Sequence, residues 1–226
     1  MQQQRTALVT GASRGIGRAI AADLGRDHHV LVGGRDADAV QRVVDALPSA
    51  EPFVADLAAG PLPPLPERLD VLVHSAGVED GARIADTDRA TWERVFAANV
   101  FAIADLTRAA LPAVRAARGL VVLINSGAGF TASPGGAVYA ASKFALRALG
   151  DALREEERAA GVRVTSVHPG RTDSDMQREK VEREGAAYDL RYVIAPEDVA
   201  AVVRSAVDLP ESASLDTASV RPVRIR

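Results

Sequence analysis

What most constrains this chain is an alternation. Short runs rich in Val, Leu and Ile recur between longer, alanine-rich amphipathic stretches. That is the pattern of a parallel sheet whose strands are buried on both faces by crossover helices. Strands are expected at 6–10, 29–33, 52–54, 71–74, 120–125, 162–168 and 219–223, in βαβαβ order from the start. Helices are expected at 16–24, 36–47, 88–117, 137–160 and 196–208. Pro48 stops the second, Gly161 follows the fourth, and Pro196 opens the fifth. The third is expected to break near Pro112, where an N–H is missing and the ring crowds the preceding turn.

Two stretches do not fit the alternation. Residues 60–67 read GPLPPLPE, which no regular helix accommodates. They make either a crossover loop or an exposed proline-rich ligand for an SH3-like domain. Residues 171–194 are dense in Arg, Glu, Asp and Lys, without strand alternation or a continuous apolar face, and read as a substrate lid. At 226 residues, with no linker and no repeat, one domain over 1–226 is expected.

Composition narrows the chemistry. A formal charge of −3 with both signs interleaved gives no broad positive field, so nucleic acid is not an expected partner. The absence of cysteine removes thiolate catalysis, disulfides and Cys-based zinc sites, and agrees with a reducing, cytoplasmic setting. His28, His29, His74 and His168 lack metal-ligand spacing and read as surface or satisfied core residues, so no metal is expected. The N-terminus carries no basic flank followed by a long apolar run, and no stretch of about 18 uninterrupted apolar residues occurs. Neither secretion nor a membrane is expected.

The string Thr10-Gly11-Ala12-Ser13-Arg14-Gly15-Ile16-Gly17 follows the first strand and opens the first helix. Glycines there let backbone approach a pyrophosphate, whose charge the free N–H groups at the helix start favour. This string resembles the signature of the short-chain dehydrogenase/reductase family. The resemblance runs from Thr6 to about Pro222, with several motifs in the right order at the right strand ends. It implies an α/β, single-domain Rossmann fold: a doubly wound, mostly parallel seven-stranded sheet with helices on both faces.

The position after the second strand, where an acid would accept from a ribose 2′-hydroxyl, reads Gly34-Arg35. Arg35 and Arg14 can clamp a 2′-phosphate by charge-assisted hydrogen bonds, although either alone is equally a solvated surface charge. Similar family members with both basic residues prefer NADPH, so NADP(H) is the expected cofactor. The resemblance makes Asp56-Leu57 the adenine-contacting pair, with a capping Asp as the plain alternative. It places Ser75-Ala76-Gly77 in the cofactor-lining N-N-A-G segment, although His74-Ser75 stands where two asparagines are usual. Pro169-Gly170, with Thr172 and Ser174, resembles the segment that holds the nicotinamide carboxamide.

Tyr139 and Lys143 form Y-x-x-x-K, a phenol and an ammonium on one helix face. The lysine is expected to depress the tyrosine pKa from its usual value of about 10. Ser126 ends the fifth strand at the carboxyl edge of the sheet, where its hydroxyl can reach a carbonyl oxygen. Asn99 matches the family's fourth catalytic residue, which holds a water joining Lys143 to solvent. The expected activity is hydride transfer between nicotinamide and a carbonyl or secondary alcohol, with Tyr139 as general acid and base. A catalytically idle NADP(H)-sensing regulator on the same fold stays open, and the chain is short for a sugar epimerase or dehydratase. The partner is a small carbonyl or alcohol, and a homodimer or homotetramer through the two long helices is the family expectation.

Overall fold

The computed structural model describes residues 4–183 and 185–224. Its seven strands are β1 (Arg5–Val9), β2 (His28–Gly34), β3 (Ala50–Val54), β4 (Val71–His74), β5 (Leu120–Ile124), β6 (Arg163–Pro169) and β7 (Thr217–Val220). They form one sheet in the order β3-β2-β1-β4-β5-β6-β7 with every pairing parallel. The helices are α1 (Gly15–Leu24), α2 (Ala37–Val44), α3 (Arg89–Phe96), α4 (Ala102–Ala117), α5 (Ala137–Glu157), α6 (Asp175–Arg183) and α7 (Pro196–Val207).

The period of two along each strand sorts the core onto two faces. Ala7, Val9, Val71, Val73 and Val122 point to one face and meet Ile20 and Leu24 of α1, Val40 of α2 and Val199 and Val203 of α7. Leu8, Leu72, Val121 and Leu123 point to the other and meet Ile103, Leu106 and Ala110 of α4 and Leu146 and Leu153 of α5. Strand order reverses between β1 and β4, so a crevice opens at their carboxyl ends, where open α/β sheets hold ligands.

The Pro-rich 60–67 stretch is loop, and its Leu62 and Leu65 pack against the second core. That inward packing favours the crossover reading over an exposed ligand. The expected break at Pro112 is absent: α4 runs through it, with the ring on the exposed side. The interruption lies instead at Ala97–Phe101, a π turn between α3 and α4. There the Asn99 side chain bonds a neighbouring loop and helix, and the wider turn places it for both. The last strand sits two residues earlier than expected, and the charged segment contains a helix, α6, that the apolar pattern does not announce because none of its residues is buried.

One helix bears on the expectation about membranes. The helical stretch Arg89–Ala117 is long and apolar enough to cross a bilayer, although no uninterrupted apolar run marks it in the sequence. Its Ile103, Leu106, Ala110 and Val114 are buried against the sheet, so its apolarity is accounted for as one side of the core.

Candidate active site

The crevice is lined from four strand ends and from α5. The turn after β1 contributes Gly11, Ser13, Arg14, Gly15, Ile16 and Gly17, and the end of β2 contributes Arg35. Asp56 and Leu57 follow β3, Ser75, Ala76 and Gly77 follow β4, and Tyr139 and Lys143 stand on α5. Ser174 closes the opposite wall, together with Asp175 and Met176 of α6. Of the residues singled out from the sequence, Asn99, Ser126, Pro169, Gly170 and Thr172 do not line the crevice itself, and the buried Thr172 hydroxyl donates to the Gly170 carbonyl at 3.1 Å.

The glycine turn is a close backbone contact. Gly11 has φ +64°, and a Cβ on it would stand 2.8 Å from Ala76 Cα. One on Gly17 would stand 2.2 Å from the Gly11 carbonyl oxygen. Side chains are thereby excluded where the turn meets the segment after β4. The α1 N-terminus has no side-chain cap and no acid in its first turn, leaving its first amides for an anion. A dinucleotide's pyrophosphate fits this donor set, and no other side chain competes for it.

Thr10, to which sequence reasoning gives no separate role, holds the two rims together. Its hydroxyl oxygen accepts from Ser75 N and Ala76 N, each at 3.1 Å, and donates to Val73 O at 3.3 Å. The signal was its place directly before the first glycine, at the end of a buried strand. Asp56 spends one carboxylate oxygen on Ala58 N at 3.0 Å, so the turn-capping reading holds for that oxygen.

At the other end of the crevice, the Ser126 hydroxyl lies near enough to the Tyr139 phenol to favour its charged form, and Ser126 Oγ accepts from Ala128 N at 3.1 Å. Lys143 Nζ lies 5.7 Å from the Tyr139 ring centroid and donates to Ile124 O at 3.1 Å. Asn99 is buried, donates to Val78 O at 2.8 Å and to Ser142 Oγ at 3.0 Å, and accepts from Val78 N at 2.8 Å. A Cβ on Gly77 would fall 3.1 Å from Asn99 Oδ1 and 3.9 Å from Lys143 Nζ, so the missing side chain leaves space between the two. Asn125, also unremarked in the sequence, steadies α5 by donating to the Lys143 carbonyl at 3.2 Å.

The electrostatics correct the expected tyrosine depression. Burial pushes the Tyr139 phenol up to about 12, opposed by the nearby Ser126 hydroxyl and reinforced by the Glu79 charge. The same burial brings the Lys143 ammonium down to about 8. Removal from water dominates both groups, and the phenol keeps its proton near neutrality.

The histidines serve the scaffold. His168 is buried, with Nδ1 2.9 Å from the Ser126 carbonyl oxygen, Nε2 2.9 Å from Ser166 Oγ and the Phe130 ring stacked at 4.2 Å. It positions the peptide that carries Ser126. His74 sits 2.9 Å from Thr107 Oγ1 through Nε2, and burial lowers its pKa to about 3, so it is neutral. Its Nδ1 and the Nε2 of buried His28 have no hydrogen-bond partner among the described residues, so these two are core histidines left half satisfied.

A Rossmann sheet carrying a glycine-rich turn at its switch point, with a serine, tyrosine and lysine at neighbouring strand and helix ends, defines a dinucleotide-dependent class of protein. The short chain dehydrogenase family model matches residues 5–185, and the chain belongs to that family. It is 35% identical over 220 residues to the uncharacterized oxidoreductase YbbO of Escherichia coli, covering 90% of this chain and 81% of that protein. It is 33% identical over 237 residues to the glycine betaine reductase ATRR of Emericella nidulans, covering 96% of this chain but only 19% of that much longer protein. Among solved structures, a putative NAD(P) dependent gluconate 5-dehydrogenase from Beutenbergia cavernae with bound NADP superposes with a TM-score of 0.83 at 31% identity, covering 98% of this chain and 96% of that one. Family membership makes the chain an oxidoreductase.

Proposed function

We propose that the chain is an NADP(H)-dependent oxidoreductase acting on a carbonyl or secondary alcohol, with Tyr139 as the proton donor and acceptor. The observation that carries this reading is the convergence of Tyr139 and Lys143, with the Ser126 hydroxyl near the phenol, at the end of a crevice with a glycine-rich anion cradle. A phenol and a hydroxyl this close can both meet one substrate oxygen. NADP in the Beutenbergia relative, and Arg14 and Arg35 on the crevice wall, support the 2′-phosphorylated cofactor.

Bound in the crevice, the nicotinamide supplies or accepts the hydride. In reduction, the Tyr139 hydroxyl gives its proton to the substrate oxygen, and the Ser126 hydroxyl donates to the charge that develops there. A phenol held up to about 12 arrives protonated, as reduction requires. Lys143, cationic below about 8, favours the transient phenolate, and the space between Asn99 and Lys143 suits a water that returns the proton. Oxidation of an alcohol runs the same steps backwards. Residues 171–194 serve as a lid, and Met176 faces the crevice from it.

Phe101 and Phe144, 58% and 38% exposed on the outer face of the long helices, suit a second copy of the chain, and light scattering should give a dimer or tetramer. A panel of ketones, aldehydes and quinones offered with NADPH tests the activity. Substrate-dependent NADPH oxidation is expected, slower with NADH. Tight NADPH binding without turnover across the panel would instead favour an idle regulator.

A further inference from the structure

Arg14 is paired with one carboxylate and, on the NADP(H) reading, would also meet a 2′-phosphate. Its guanidinium Nη1 donates to Asp175 Oδ2 at 3.3 Å, tying the glycine turn to the first residue of α6 across the crevice. Arg14, Arg35 and Asp175 all line that crevice, so a carboxylate stands within the proposed 2′-phosphate clamp. The partner of Arg14 belongs to a segment docked mainly through charge. α6 has no buried residue, and the side-chain links from it to the body run through charge: Asp175 to Arg14 at one end, and Lys180 and Arg183 to Glu79, each at 3.0 Å, at the other. The base of the segment is pinned separately, by Asp173 N to Ile194 O at 2.8 Å and Ile194 N to Arg171 O at 2.9 Å. α6 is therefore held at its two ends by ion pairs and contributes no fully buried residue to the core.

We propose that Asp175 is a cofactor-specificity residue: its carboxylate competes with the 2′-phosphate of the dinucleotide for Arg14. A 2′-phosphorylated nucleotide would then release the α6 end of the lid, while an unphosphorylated one leaves it latched. The inference rests on the NADP(H) reading. A phosphate near neutral pH carries more charge and more acceptor oxygens than a carboxylate, so it wins the guanidinium. One guanidinium bridging both would hold two anions together, which their repulsion opposes. The Arg14–Asp175 pair is solvent-exposed, 68% and 58% by side chain, so the competition is a matter of a few-fold rather than orders of magnitude.

The test uses adenosine 2′,5′-bisphosphate and adenosine 5′-monophosphate, which differ only in the group at issue. Both are titrated calorimetrically into the full chain and its Asp175→Asn and Glu79→Gln variants. Asp175→Asn should tighten the bisphosphate about three- to fivefold more than the monophosphate. Glu79→Gln, which loosens the far end of α6 without touching Arg14, should leave the ratio of the two affinities as in the wild type. Trypsin should cut the wild-type lid at Arg178, Lys180 or Arg183 faster with bisphosphate than with monophosphate. Equal gains for both nucleotides in Asp175→Asn would make Asp175 a general anion repellent and overturn the proposal, as would a ratio that shifts equally in Glu79→Gln. If the wild type binds the bisphosphate no more tightly than the monophosphate, the NADP(H) reading falls and the competition with it. If it prefers the bisphosphate and Asp175→Asn leaves that preference unchanged, the competition alone falls.

Discussion

The two walls of the crevice are held by different forces. The wall formed by the turns after β1 and β4 is backbone packed on backbone, with Gly11 and Gly17 leaving no room for a Cβ and the Thr10 hydroxyl stitching the turns together. The facing wall, α6, is a helix without a buried residue, docked through ion pairs to Arg14 and Glu79. Close packing tolerates no displacement, whereas exposed ion pairs cost little to break. A site built this way sets a close-packed turn against a facing wall held mainly by ion pairs.

Four changes would break or sharpen that contrast. The largest effect is expected on the packed wall: Gly17→Ala drives a Cβ to 2.2 Å from the Gly11 oxygen. It should cost about 2–3 kcal/mol, a fall in Tm of roughly 5–10 °C by calorimetry. An unchanged Tm would mean the turn is softer than its contacts imply. Next comes pH. Lys143 titrates near 8 because burial penalises its charge, while Tyr139 stays protonated to about 12. Ketone reduction should therefore decline as pH rises through about 8 with loss of the lysine charge, and the phenol should add no second limb below it. A rate that climbs through that range would contradict this assignment of roles.

Arg35→Asp puts an acid where a 2′-phosphate is proposed to lie, and should move the NADPH-to-NADH ratio of kcat/KM toward NADH by about tenfold or more. The smallest effect belongs to the lid. Glu79→Gln removes the acceptor of two cations, yet both are substantially exposed, 40% and 47% by side chain. Stability should change by less than about 1 kcal/mol. The substrate KM, measured with the best ketone, should rise by about two- to threefold. A loss of stability comparable to that of Gly17→Ala would erase the distinction between the walls.

What could be read from the sequence follows the same division. The buried central strands are apolar runs, and all seven strands were visible from the alternation, displaced by up to three residues at their ends. The glycine-turn residues and Tyr139 and Lys143 of the crevice were visible because glycine spacing and Y-x-x-x-K are local patterns, whereas lining residues such as Val78 and Asn125 carry no such pattern. The π turn at Asn99 was not, because its cause is a contact with Val78 and Ser142, far along the chain. Pro112, a local signal for a break, misled because its ring faces solvent and the helix around it is held by the core. The tyrosine shift was misjudged for a related reason. Spacing shows that Lys143 is near Tyr139, but not that both are deprived of water. α6 escaped notice because amphipathic periodicity detects helices that bury a face, and this one buries none.

The central claim is that the Tyr139 hydroxyl moves the proton in a crevice that binds NADPH independently of it. Tyr139→Phe removes that hydroxyl alone, and both NADPH dissociation and turnover on the best carbonyl substrate should be measured on the same preparation. The account predicts turnover lower by about 10²- to 10⁴-fold, with the dissociation constant within about twofold of the parent chain. Turnover equal to that of the parent chain would remove the tyrosine from the chemistry.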